Sequence, residues 1–289
     1  MNRFTLLLSA LCLGCAMAYT AELSFRFEFG EPGNPQGLAL GPDHALFVTD
    51  ADRNAVFKYD TTGRLLGISG GTGSGTGQFD GPCGITRRSG FDLFVCDARN
   101  HRLVRMNERL DILDALPLAD TDRNGFFTPL DAAAGSDGTL YICDRGTGGV
   151  LALGLDGRAI PFFRGRPQRE GMNLRPAALV ATAGVLFLYD EGKSRLLRFD
   201  RFGTFLGVCA VPLVVPASGL DRMGDTLTAA ADIAQKQLIL LSPAGKIVYS
   251  ALFPAPGLFS PGALKVGQGR LYVVNTATRR IVAFRFLYP

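Results

Sequence analysis

The chain has no tryptophan and only two histidines, His44 and His101, among 289 residues. Two imidazoles leave little with which to build a zinc centre, and a serine nucleophile would need one of them as its base. Neither has an obvious serine partner in the sequence. Cysteine is also scarce. Of six, two lie at the extreme N-terminus, and Cys83, Cys96, Cys143 and Cys209 form no C-x-x-C pair, so a zinc-ribbon reading has no support. An excess of one charge is missing as well. Thirty Lys and Arg stand against 26 Asp and Glu, a net +4, without the basic surplus of a dedicated nucleic-acid binder. Long apolar runs are absent except for "FTLLLSALCLG", which is shorter than the ~20 residues a membrane-spanning helix needs.

That run follows Asn2 and Arg3 and precedes Ala16-Met17-Ala18, small residues suited to cleavage before Tyr19. Residues 1–18 therefore read as a signal peptide and 19–289 as an exported mature chain, periplasmic or secreted. The "CLGC" within it offers a second processing route, lipidation of Cys15, although Cys12 stands where a lipobox usually has leucine. The mature chain is 271 residues, rich in glycine and in apolar residues, enough for one large all-β domain.

What is present is a repeat. "LFVTDADRNAVFKYDTTG" from Leu46 recurs as "LFVCDARNHRLVRMN" from Leu93, "LYICDRGTGGVLALGLDG" from Leu140, "LFLYDEGKSRLLRFDRFG" from Leu186 and "LYVVNTATRRIVAF" from Leu271. A degenerate copy carries Asp232. A proline precedes each copy, at Pro35, Pro82, Pro129, Pro176, Pro216 and Pro261, spaced by 47, 47, 47, 40 and 45 residues. Period-two apolar runs separated by Gly, Asp and Asn make each unit a set of short strands, and about 45 residues is the size of a four-stranded propeller blade. Six markers predict six blades. The last unit has room for three strands, whereas "ELSFRFEF" precedes the first as a surplus strand. The N-terminal strand should therefore complete the last blade and close the ring.

"GTGSGTGQFDGPCGITRRSGFDLFVCDARNHRLVRMN", Gly71 to Asn107, resembles an NHL repeat, with a G-x-F-x-x-P-x-G lead and a D-x-x-N-x-R-[IV] tail. The resemblance extends over the mature chain and implies a single-domain six-bladed β-propeller. It does not imply one function. The repeats also resemble those of peptide amidating lyases, whose zinc needs several histidines. Here the register places His44 in a hairpin turn and His101 in a loop on the opposite face, so the two cannot share a metal. Gluconolactonase-like propellers hold a divalent metal with Glu, Asn and Asp. Glu31 lies near such a position but out of register, and "RPAALV" stands where the Asn-Asp pair belongs.

The loops at the end where inner strands begin collect Arg53, Arg99, His101, Arg102, Arg145, Lys193, Arg195, Arg279 and Arg280, and the loop before Pro176 adds Arg164, Arg166, Arg169 and Arg175. Either this rim docks an acidic protein, peptide or glycan of the cell envelope, or each arginine serves its own blade through local salt bridges. The repeated Asp50, Asp97, Asp144 and Asp190 end a strand before a tight loop, where a carboxylate accepts backbone N–H groups.

Two further sites follow from spacing. Centring the hairpin of unit three between Ser136 and Asp137, and carrying that register back 47 residues, sets Cys83 opposite Cys96. In an exported protein they are candidates for a cross-strand disulfide, or else two free thiols. "DTDRNGFFTPLD", Asp120 to Asp131, nearly spells a calcium loop, with Asp120, Asp122, Asn124, the Phe126 carbonyl and Asp131 as candidate ligands. Asp131 falls where other units have Gly37, Gly84, Ala178, Ser218 and Ala263, all small. A carboxylate there needs a partner: calcium, an arginine or hydrogen-bond donors. The overall expectation is an exported, monomeric binding or scaffold propeller that contacts no nucleic acid, with a metal-dependent lyase or lactonase as the rival class.

Overall fold

The second strand of each unit, such as Leu46–Asp50 ("LFVTD"), alternates β-branched and aromatic residues and is buried along its whole length. Leu93–Asp97 and Leu140–Asp144 repeat the pattern. A strand with no polar face must be covered on both sides, and a ring of stacked sheets supplies that cover. The computed structural model describes residues 21–289, apart from Pro32, Ser89, Phe91, residues 121–124, Thr147, residues 161–173, Ala183, residues 210–212 and Pro289. It contains six four-stranded antiparallel sheets and a small two-stranded ribbon. The inner strands are Pro35–Leu40, Pro82–Arg87, Pro129–Ala134, Pro176–Thr182, Leu220–Met223 and Pro261–Gly267. Consecutive blades are neighbours, and the sixth packs against the first, so the sheets form a closed six-bladed β-propeller.

Closure occurs through the surplus strand. Glu22–Phe29 pairs antiparallel with the C-terminal Arg280–Leu287 as the outer strand of blade six. Phe25 meets Phe284 edge-on at 6.3 Å, and Phe29 reaches Tyr59 of blade one at 5.4 Å. The core is six apolar clusters, one at each blade–blade interface, rather than a single centre. Among the described residues, no helix is long and apolar enough to cross a membrane.

Inner strands define two faces. On the entry face they begin, and here the inter-blade loops meet the loops after Asp50, Asp97, Asp144, Asp190, Asp232 and Asn275. These residues end their strands as the sequence implies. Asp50 Oδ1 accepts the N–H groups of Asn34, Asp52 and Arg53. Asp97 takes that of Asp80, Asp190 that of Arg175, and Asn275 that of Ser260. One carboxylate thus ties two loops together. On the other, hairpin face, the inner strands turn into their second strands.

A β-bulge interrupts five of the six inner strands just after the marker proline. It changes the register expected for Cys83 and Cys96. Pro82 pairs with Asp97, but the next pair is Ile85 with Val95, so Cys83 is the extra residue of the bulge, beside Cys96 rather than in ladder pairing with it. Its thiol instead lies 3.4 Å from the Cys96 carbonyl and 3.3 Å from the Pro129 carbonyl. Cys83, Cys96, Cys143 and Cys209 are all free. Burial pushes the Cys143 and Cys209 thiols up, and Cys96 is raised chiefly by the Cys83 thiol beside it and then by burial. These thiols are therefore poor nucleophiles at neutral pH. Thiol titration of denatured mature protein should give the same count with and without prior reduction; a gain of two thiols on reduction would restore the bridge.

Candidate functional site

The centre of the ring is crowded on its entry side. A Cβ added at Gly37 would lie 2.5 Å from the Cys83 carbonyl oxygen, and one at Gly84 would lie 2.5 Å from the Asp131 Cα. This is why the repeat keeps small residues at these positions. Asp131 is the departure. Its side chain turns across the channel, where Oδ2 accepts the Leu179 N–H at 3.1 Å and Oδ1 accepts the Ser218 hydroxyl at 2.8 Å. Burial raises its pKa to about 7, partly offset by those two donors, the Ala132 N–H and the Lys265 charge. Asp131 therefore links blades three, four and five by hydrogen bonds. Of the other candidate ligands, Asp122 and Asn124 lie outside the described residues. Asp120 and Phe126 are described only by their backbone, in a ribbon pairing Ala119–Asp120 with Gly125–Phe126. Among the described residues, no group of three or more His, Cys, Asp or Glu could hold a metal.

The entry face gathers the expected cations, and the geometry divides them. Arg102 and Arg195 are staples: their Nε atoms lie 2.8 Å and 3.0 Å from the fully buried Asp97 and Asp190. Arg102 also donates to the carbonyls of Ser74 and Gln78, both at 2.7 Å. Arg280 donates to the Gly30 carbonyl at 2.9 Å, fastening the closing strand. Arg53 bridges Asp50 and Glu31 at 3.4 Å and 3.3 Å, with its guanidinium over the Phe57 ring. These four each serve the blades through local contacts.

The second group is more exposed and held by single contacts. Arg99 reaches Asp80 at 3.0 Å, Arg145 reaches Glu191 at 3.5 Å, and Arg279 reaches Asp52 of the neighbouring blade at 3.4 Å. Their side chains are 70%, 56% and 63% exposed, respectively. Arg175 shares Glu191 at 3.6 Å. Lys193 ends the short turn Glu191–Lys193 and makes no ion pair with a described residue. Arg164, Arg166 and Arg169 lie outside the described residues. Because Glu31, Asp52, Asp80 and Glu191 share the rim, it is a mixed-charge surface rather than a purely basic one.

The histidines occupy opposite faces. His44 is in the first hairpin of blade one with φ 64°, and His101 is in the entry-face loop of blade two with φ 53°. The His101 Nδ1 lies 3.5 Å from the Thr128 hydroxyl.

Fold and site define a six-bladed β-propeller with a narrow, polar-lined centre and a charged loop face. A virginiamycin B lyase from Staphylococcus aureus has the same fold, with a TM-score of 0.63 at 12% identity over 92% of this chain and all of that one. A gluconolactonase from Xanthomonas campestris superposes with a TM-score of 0.67 at 15% identity, over 93% of this chain and 90% of that one. A putative gluconolactonase reaches 0.64 at 20% identity, over 93% of both chains. At these identities the likeness is one of fold. No family model matches the sequence, and no curated protein matches it.

Proposed function

We propose that the mature chain is an exported binding module that docks a protein or peptide of the cell envelope on its entry face. The observation that carries this reading is the division of the rim cations. Arg99, Arg145 and Arg279 make exposed single-contact pairs, each worth ~0–1 kcal/mol, so a partner carboxylate can replace the internal one at little cost. A glycan partner would instead use the polar loop edges and show little dependence on salt. The signal-peptide reading of residues 1–18 places the protein outside the cytoplasm, with lipidation at Cys15 as the other route.

Reversing Arg99, Arg145 and Arg279 to glutamate should reduce capture of the envelope partner at least tenfold and flatten its salt dependence. The melting temperature should stay within a few degrees of wild type, because none of the three is a staple. Unchanged capture, or early unfolding of the variant, would remove docking from these residues.

The propeller enzymes of similar fold support a second reading, a lyase or lactonase. In this chain the chemistry-bearing group at the channel is Asp131, hydrogen-bonded to Ser218. Lactone and cyclic-peptide substrates, tested with divalent metals present, should turn over under that reading and fail in Asp131→Asn. No turnover by wild type across both substrate classes would favour the binding module.

A further inference from the structure

The hairpin end of the central channel carries charge that the entry-face reading leaves unused. Five charged residues line the channel cavity: Arg87, Asp131, Asp221, Arg222 and Lys265. Asp131 faces the entry side. Lys265 and Asp221 satisfy each other. Lys265 Nζ lies 2.7 Å from Asp221 Oδ1, and the other carboxylate oxygen accepts the Val266 N–H, also at 2.7 Å. That leaves Arg87 and Arg222. Both are exposed, and among the described residues neither makes an ion pair or a hydrogen bond through its side chain.

Their placement is not incidental to the ring. Arg87 ends the inner strand of blade two, opposite Leu93, and Arg222 lies in that of blade five, opposite Thr228. In a closed ring of six, blades two and five stand across the channel from each other. Both arginines thus line one channel cavity from opposite blades of the ring. The rest of the lining mixes Thr86, Ser218 and the Asp221–Lys265 pair with Ala133, Ala134, Val180, Ala181 and Leu220. Two like charges without an internal partner among the described residues share this mouth, and a bound anion offsets both at once.

We propose that this mouth binds a small tetrahedral oxyanion, phosphate or sulfate, held between the Arg87 and Arg222 guanidinium groups. Guanidinium presents paired N–H donors that match the oxygens of such an ion, and two cations balance a dianion. The cavity, about 80 Å3, has room for an ion of a few atoms. The same chemistry serves a free ion and the phosphoryl end of a molecule that stays outside the mouth.

Phosphorus NMR line-broadening of inorganic phosphate, titrated with mature protein at constant ionic strength, reads this site without any assay of activity. Wild type should give saturable broadening equivalent to one site per chain, displaced by sulfate and not by chloride or acetate. Arg87→Met and Arg222→Met should each weaken binding at least tenfold, Arg87→Lys should lose less, and the Arg279→Glu rim variant should bind as wild type. Equal binding of phosphate and a phosphomonoester would identify the phosphoryl end group as the ligand, and binding of phosphate alone would identify the free ion. No saturable broadening by wild type at 10 mM, about the weak limit of a specific ion site on an affinity scale where each tenfold is ~1.4 kcal/mol, overturns the proposal. So does equal binding by wild type and a folded Arg87→Met, Arg222→Met double variant.

Discussion

Replacing Asp97 by alanine should lower the unfolding free energy by about 3–5 kcal/mol, the range found when one partner of a buried ion pair is removed. Asp97 is fully buried and works in three directions. Oδ1 accepts the Asp80 N–H at 2.7 Å, while Oδ2 accepts Asn100 Nδ2 and Arg102 Nε, both at 2.8 Å. Its loss leaves the largely buried Arg102 guanidinium without a counter-charge and releases the loop carrying Ser74 and Gln78 from blade two. Denaturant titration monitored by tyrosine fluorescence and by circular dichroism would read the loss. A change under about 1 kcal/mol would mean that the loop ladder, and not the carboxylate, holds this corner.

The second large effect depends on pH. The Asp131 carboxyl has its pKa raised from 3.8 to about 7, mainly by burial. The folded chain therefore holds this proton more tightly than the unfolded chain does. The resulting stabilisation is complete below pH 3.8 and is lost as pH rises to 7, about 4 kcal/mol in all at ~1.4 kcal/mol per unit. Asp131→Asn keeps an acceptor for Leu179 or Ser218 and cannot ionise. The stability of wild type minus that of Asp131→Asn should fall by up to this amount between pH 4 and 7 and stay level above it. If the difference is flat with pH, Asp131 either stays ionised in the folded channel or finds a cation there.

The repeat made the fold legible. The marker prolines, the LFVTD-type runs and the surplus "ELSFRFEF" strand led to six blades and to ring closure, because each property is local: period-two patterning, turn residues and a strand count. The capping role of Asp50 was legible for the same reason, since its donors Asp52 and Arg53 follow it directly, whereas the backbone donors of Asp97 and Asp190 are Asp80 and Arg175 of the preceding inter-blade loops. The Cys83–Cys96 register was not. One bulge residue shifts the pairing, so that two residues, Cys83 and Gly84, stand against Cys96. Nothing in the period-two pattern of one blade announces the bulge, which recurs in five of the six inner strands.

The same limit applied to the charged residues. From the spacing, Arg102, Arg195, Arg99 and Arg279 looked equivalent, yet the first two are staples and the others are exposed. Asp131 stood out in the sequence as a carboxylate among small residues, but its partners, Leu179 and Ser218, come from blades four and five. Arg87 and Arg222 carried no signal, since each is a lone arginine in its own unit.

Sequence alone thus determined blade number, strand order and the closing strand, because these depend on periodicities that a single unit already contains. Tertiary structure decided which carboxylate meets which donor and which cations stay free, because the channel and the rim are assembled from residues of different blades, and only closing the ring sets their distances.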